Sequence, residues 1–398
     1  MDALLTKRTP TFQGLGPSLL NARTRGELQR HSIPETLQSA RELLHDHCPL
    51  TPGVYGWLDS RQQICYIGKS KCLKKRLLTY FAKQPSDKKA FRIRQHGHSL
   101  VWEATTNELL SLIREQELIN RWRPEFNTQG QPTKRQPGFL CFSKGPAPNA
   151  YFARKVTNKA QLSLGPVAGT GRLRAAIECL NHVFQLRDCP DRTRFEFSNQ
   201  QQLFANPMTA GCIRFELGSC PAPCAAQCSS ADYLANVKRA TTFVSGGDKT
   251  TIGELQRLMS VAAGNQCFEK ATVLRDQIHH LRWLDRRMAA LRQATQKYHG
   301  VFPVPTLTDQ TAWLVLCRGR LVGSLLSPQD DLTAVEGIKT LTPFAARKKS
   351  LPDSILDMHL QWIIISWFRR HPKLKKNIIP FRNAIQLCEA QMDKRLTA

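Results

Sequence analysis

Two short apolar runs, Val54–Leu58 and Ile64–Ile67, flank the polar turn Asp59-Ser60-Arg61-Gln62-Gln63, and this pattern predicts a β-hairpin. A helix is expected over Lys69–Phe81, then a strand around Leu100–Ala104 and a second helix that closes before Pro124. Cys141–Val156 reads as strands. Arg172–Leu186 carries Leu173, Ala176, Ile177, Leu180 and Phe184 at helical spacing. Farther on, Ile252, Leu255, Met259 and Ala262 form one stripe, Gly264-Asn265 a turn, and Phe268, Ala271, Leu274, Ile278 and Leu281 a returning stripe. Together they predict an αα-hairpin over Thr251–Ala294. Ala312–Leu326 reads as two strands about Arg318-Gly319, and basic helical segments follow.

The punctuation between these elements sets the expected organisation. Residues 1–47 lack periodicity and read as a flexible extension. Residues 48–130 form a small mixed α/β domain, and 131–240 a linker that becomes cysteine-rich. Residues 250–294 are the helical hairpin, and 300–398 a small C-terminal α/β remnant with a basic tail. Gly130–Gly138 reads as a boundary loop and Ser245–Asp248 as a flexible joint. The fold class is α+β, and no fixed-period repeat is present.

Charge changes this picture most. The 398 residues carry 57 Lys and Arg against 31 acids, a formal +26, so a polyanion is the expected partner. Between Arg61 and Arg135 there are 16 cations against 6 acids, and between Arg347 and Arg382 9 against 2, clusters suited to phosphate contacts. The strongest apolar run, Trp362–Trp367, is too short to span a bilayer. With no signal-peptide pattern at the start and an odd count of 13 cysteines, a reducing cytoplasm is expected.

Two groups of residues suggest chemistry. At 100° per residue, Lys69, Arg76 and Tyr80 of the first predicted helix fall within about 40° of one another, beside Tyr55 and Tyr66 of the hairpin. Cations and hydroxyls converging in this way suit a phosphate. On the second helix, Thr105 and Glu108 read as a capping box, and Glu115 lies among Leu112, Leu118 and Ile119 on the apolar side. A carboxylate there needs a cation or a metal: Mg²⁺ fits, and so does a neighbouring Arg114 or Arg121. The second group is Cys212, Cys220, Cys224 and Cys228, spaced C-x7-C-x3-C-x3-C, with Cys189 upstream. Thiolates so spaced bind zinc or an iron–sulfur cluster.

Gly53-Val54-Tyr55, Tyr66-Ile67-Gly68-Lys69, Arg76, Tyr80, Glu115 and Arg123-Pro124-Glu125-Phe126-Asn127 resemble a GIY-YIG endonuclease domain of the UvrC excinuclease type. Phe184–Cys189 with Cys212 and Gly218–Cys224 resemble the family's [4Fe–4S] region, and Met259–Ile278 its UVR motif. The resemblance implies single-metal phosphodiester hydrolysis in nucleotide excision repair, with the cut on the 3′ side of a lesion. Glu115 would hold Mg²⁺ or Mn²⁺, and Tyr66 would be the general base, with Tyr55 and Lys69 around it. Arg76 would bind the phosphate and Tyr80 orient it, while Gly68 and Asn127 would be structural.

The same resemblance implies Cys189, Cys212, Cys220 and Cys224 as cluster ligands, with zinc on Cys212, Cys220, Cys224 and Cys228 as the alternative. Damaged double-stranded DNA and UvrB are the implied partners, UvrB docking on the UVR hairpin through Phe268. A shortened form without the family's RNase H-like nuclease is expected, since Asp330, Asp331, Asp353 and Asp357 are scattered. A non-catalytic adaptor that binds UvrB and DNA is the competing expectation.

Overall fold

The computed structural model describes residues 11–82, 88–127, 137–190, 192–200, 212–346 and 355–393. The described residues of Met1–Arg135 and Ala294–Ala398 form one compact unit, and those of Gln136–Gln293 a second. The mixed α+β class follows from the elements below. Most of the expected Gly130–Gly138 loop, and Asp353, lie outside the described residues.

The first unit is built on a four-stranded antiparallel sheet of β1 (Gln29–Ser32), β2 (Gly53–Leu58), β3 (Ile64–Ser70) and β4 (Ser99–Ala104), in the order β1-β4-β2-β3. Both faces of the sheet are covered, so every residue of β2 is buried. On one face, Tyr55, Trp57 and Trp102 pack with Leu44 of α1 (Leu37–His47), Leu73 and Leu77 of α2 (Leu73–Leu78), and Ile93 of α3 (Lys88–His96). On the other, Val54, Leu58, Ile67 and Val101 pack under Leu118, Ile119 and Trp122 of α4 (Glu108–Trp122).

Residues 11–47 are not the flexible extension that their lack of periodicity suggests. Phe12 and Leu15 are buried under α4, with the Phe12 ring 5.5 Å from Trp122, and β1 pairs along β4. The segment is held by distant residues, so no local repeat announces it. A buried ion network does much of the holding. Arg114, fully buried, donates to Glu103 (3.0 Å), to Glu117 (3.1 Å) and to the carbonyl oxygens of Gly16 and Pro17. Ser18 and the Leu19 N–H close on Glu117. Arg114 is therefore occupied by Glu103 and Glu117.

The second unit opens with a three-stranded antiparallel sheet of β5 (Gly138–Ser143), β6 (Ala150–Ala153) and β7 (Ala160–Val167), in the order β6-β5-β7, with α5 (Thr170–Val183) packed on β5 and β6. The cysteine-rich stretch holds α6 (Ile213–Glu216) and leads to α7 (Ser230–Val244). Two helices, α8 (Thr251–Gly264) and α9 (Phe268–Lys297), occupy the stretch read as a hairpin.

The C-terminal segment returns to the first unit and is not a separate remnant. A sheet of β8 (Gly300–Pro305), β9 (Thr311–Cys317) and β10 (Arg320–Leu326), in the order β10-β9-β8, packs with α10 (Asp331–Ala345) and α12 (Phe381–Asp393). Between them in the chain, α11 (Ile355–Arg370) lies against both β10 and α4, and Gln116 of α4 bonds to His359 (3.2 Å). Among the described residues, no helix is long and apolar enough to cross a membrane.

Candidate active site

The β2–β3 pairing places Tyr55 opposite Gly68 and Trp57 opposite Tyr66, so the two tyrosines are diagonal neighbours on one face, with ring centroids 6.1 Å apart. Gly68 is required by this arrangement. A methyl group added there would fall 2.5 Å from the Tyr55 hydroxyl oxygen and from the adjoining ring carbon. Asn127 holds the strand from the side: its amide accepts from the Ile67 N–H (2.9 Å) and donates to the Ile67 carbonyl (2.8 Å).

Lys69 does not belong to a helix. β3 continues through Ser70, and α2 begins only at Leu73, so the expected stripe of Lys69, Arg76 and Tyr80 is not a single helical face. Convergence is reached by another route. A 3₁₀ turn over Thr79–Phe81 extends α2 and buries Tyr80, whose hydroxyl lies 2.9 Å from that of Tyr55. Arg76 donates from Nε to the Tyr55 hydroxyl (3.2 Å), and its guanidinium sits 5.1 Å from the Tyr80 ring centre. Lys69 reaches Glu108 (3.4 Å), which also holds Lys71 (3.0 Å).

The expected capping box on α4 is replaced by a different cap. Asn107 is the N-cap and accepts from the Leu110 N–H, while Thr105 bonds to Ser111 (2.7 Å). Glu108 is thereby left for the two lysines, which hold its carboxyl below the usual range against the opposing effect of burial. Two turns into the helix, Glu115 is half-buried. Burial pushes its carboxyl up to about 7, opposed by the Lys69 ammonium, a hydrogen bond from the Lys69 backbone, and Lys89.

The phenols respond in the same sense. Burial raises Tyr55, Tyr66 and Tyr80; Tyr55 and Glu115 raise Tyr66 further, and Arg76 opposes the rise at all three. Arg76 itself is held charged by the surrounding hydroxyls, which outweigh its desolvation. Lys89 was not foreseen from the sequence. Its ammonium stands 5.1 Å from the Tyr66 ring centre and acts on Glu115. Within a run of cations, nothing in the local pattern distinguishes it. Tyr55, Tyr66, Arg76, Tyr80, Lys69 and Glu115 thus belong to one neighbourhood. It joins hydroxyls, a fixed guanidinium and a carboxylate that burial makes reluctant to ionise alone. A carboxylate oxygen is a donor that suits a hard divalent cation.

The thiols of the second unit differ. Cys220 is buried, Cys189, Cys224 and Cys228 are half-buried, and Cys212 is exposed. Burial raises Cys220 and Cys224, and both are raised further by Cys189 and Cys212. Cys228, pushed up to about 11 by burial, responds to Cys220, Asp232 and Cys224. Even so, among the described residues no three His, Cys, Asp or Glu side chains converge as a metal-binding set. Phe268 opens α9 and is 66% exposed.

Residues 51–128 match the family model of the UvrC-like GIY-YIG domain, and residues 139–243 that of the UvrC/Cho excinuclease middle domain. The UvrABC system protein C of Shewanella sp. (strain ANA-3) is 32% identical over 230 residues, which covers 58% of this chain and 36% of that protein. The protein of the same name from Methanosphaera stadtmanae is 32% identical over 236 residues, with the same coverage of each chain. A crystal structure of the GIY-YIG N-terminal endonuclease domain of UvrC from Thermotoga maritima, bound to magnesium as its catalytic divalent cation, shares 33% identity. It covers 24% of this chain and 99% of its own, with a TM-score of 0.21. The match spans about a third of the length of the curated relatives.

Proposed function

We propose that this chain is a divalent-metal-dependent endonuclease of nucleotide excision repair, which hydrolyses one phosphodiester on the 3′ side of a lesion in double-stranded DNA. The observation that carries the reading is the joining of the tyrosine–arginine group to Glu115, a carboxylate whose burial favours the neutral acid until a cation arrives. The UvrC-like GIY-YIG match over residues 51–128 supports the assignment of this group.

Glu115 would hold Mg²⁺ or Mn²⁺, and the ion would supply stabilisation of charge on the scissile phosphate and the leaving oxygen. Arg76, fixed by the Tyr55 hydroxyl, presents a guanidinium for the phosphate. Tyr66 accepts the proton of the attacking water as its phenolate. Burial, then Tyr55 and Glu115, disfavour that phenolate, so turnover is expected to climb as the pH rises. Tyr55 and Tyr80 are buried and act by holding Arg76 and Tyr66 in place. Lys69 steadies Glu115 through its backbone and its charge.

In the second unit, the proposed ligands of a [4Fe–4S] cluster are Cys189, Cys212, Cys220 and Cys224. Cys189 and Cys212 both act on Cys220 and Cys224, so these four thiols are near enough to influence one another, and Cys228 responds to Cys220 and Cys224 as well as to Asp232. Zinc on Cys212, Cys220, Cys224 and Cys228 is the alternative set. Recruitment by UvrB is proposed to use the α8–α9 hairpin, with exposed Phe268 as the anchor.

The test is nicking of lesion-bearing duplex by the full chain with Mg²⁺ and UvrB. Glu115→Gln abolishes nicking while the circular dichroism spectrum is retained. Nicking by this variant at the wild-type rate overturns the assignment.

A further inference from the structure

The second unit contains a cavity of about 470 Å³ that the cutting chemistry does not use. It lies beneath the β5–β6 turn. Of the described residues that line it, Lys144, Lys159 and Arg187 are cationic and none is acidic, and Phe195 supplies an aromatic wall. We infer that this cavity binds one nucleotide unit of a single DNA strand, with the phosphate on Lys144 and Lys159 and the base against Phe195.

The cavity is built, not merely a fold in the surface. The Ser143 hydroxyl bonds to the Asn149 side chain (2.8 Å) and accepts from the Asn149 N–H (3.0 Å), which closes the turn. Gly145 at its tip has φ +119°, a conformation that side chains rarely adopt. The Lys144 N–H donates to the Lys159 carbonyl (3.0 Å), so the two lysines leave adjacent backbone positions.

Arg187 forms the floor. It is nearly fully buried and donates to the carbonyls of Ala147 (2.6 Å) and Cys189 (2.7 Å). Its guanidinium lies 4.7 Å from the Phe195 ring centre. The Arg187 N–H donates to the Tyr233 hydroxyl, which in turn donates to the Pro148 carbonyl, so α7 locks the same loops. The charge of Arg187 is thus fixed in place, while Lys144 and Lys159 are exposed at the mouth and free to follow a phosphate.

Two ammonium groups with no carboxylate among the described lining residues select an anion, and a strand's phosphodiester is the anion suited to a chain of net charge +26. The aromatic wall selects further. A cationic groove combined with a ring is the arrangement that takes unstacked bases, which a duplex does not offer. The volume is within the range that encloses a single small group. This inference rests on the reading that DNA is the substrate but not on how it is cut.

The experiment is fluorescence anisotropy of a labelled oligothymidylate with the full chain in chelator, where no cutting occurs, over a series of salt concentrations. Lys144→Gln/Lys159→Gln weakens binding about tenfold and makes the slope of log K against log salt shallower by about 1.4. The charge-matched Lys238→Gln/Lys249→Gln leaves the slope unchanged. Phe195→Leu, checked for folding by circular dichroism, weakens binding about fivefold and removes photocrosslinking of a 5-iodouracil strand to the loop. Equal affinity and slope in both lysine pairs would overturn the inference. Thymidine monophosphate or inorganic phosphate competing as well as the strand overturns it also, since the site would then serve free phosphate compounds. Loss of nicking in Glu115→Gln is unaffected by either outcome, so the two readings fail separately.

Discussion

The tyrosine–glutamate site and the cysteine stretch both hold candidate metal ligands, yet they are built in opposite ways. In the first, every side chain is placed by an element that stands without a ligand: β2 and β3 set Tyr55 and Tyr66, α2 sets Arg76, and α4 sets Glu115. In the second, the donors sit on short turns around the four-residue α6, with positive φ at Gly218, Ala222 and Ala226, and no three of the described candidates converge. A site for a hard ion that keeps most of its waters can be formed in advance by one carboxylate. A site for a soft cluster needs four thiolates, whose mutual repulsion resists assembly until the metal is present.

That contrast can be broken most easily at Asn127. Asn127→Ala leaves the Ile67 N–H and carbonyl unpaired in a buried strand and is expected to destabilise the chain by about 3 kcal/mol in urea melts. Gly68→Ala forces Tyr55 from its place and is expected to destabilise by about 2 kcal/mol and to lower nicking more than a hundredfold. Wild-type stability for both variants would mean that the site is looser than its contacts indicate.

The electrostatics sharpen the comparison at a smaller scale. Burial raises Glu115 from 4.5 to about 7, so the metal-free folded chain binds this proton more tightly than the unfolded chain. The resulting stability is full below about pH 4.5 and is lost as the pH rises through 7. Metal-free Glu115→Gln should therefore match wild type near pH 4 and exceed it by about 2 kcal/mol at pH 8, half the unscreened figure because the group is partly exposed. The smallest effect belongs to the thiols. In metal-free protein, Cys224→Ser and Cys228→Ser each change stability by less than about 0.5 kcal/mol, and only Cys224→Ser removes iron and sulfide from anaerobically purified chain. Equal loss of metal in both variants would favour the zinc set.

Much of the first site was legible in the sequence because its signals are local. The apolar runs about Asp59–Gln63 mark the hairpin, and the depth of Glu115 follows from its spacing to Leu118 and Ile119. What escaped depends on distant partners. β1 is a largely exposed polar strand that pairs with β4, and Phe12 finds its place under Trp122. Lys69 has the right position on a helical wheel but belongs to β3, since strand pairing with Val54 overrides the local pattern. Asn107, one residue before Glu108, caps α4, and that leaves Glu108 to bind lysines. The C-terminal strands looked like an independent remnant because nothing local records that α11 packs on α4.

Titration of Mn²⁺ into wild type and Glu115→Gln, by calorimetry between pH 5.5 and 8.5, tests most directly whether a buried carboxylate holds the ion. Wild type should show one site whose affinity rises about tenfold per unit up to pH 7 and then levels, with no such site in the variant. A site of equal affinity in Glu115→Gln, or one indifferent to pH, would contradict the account.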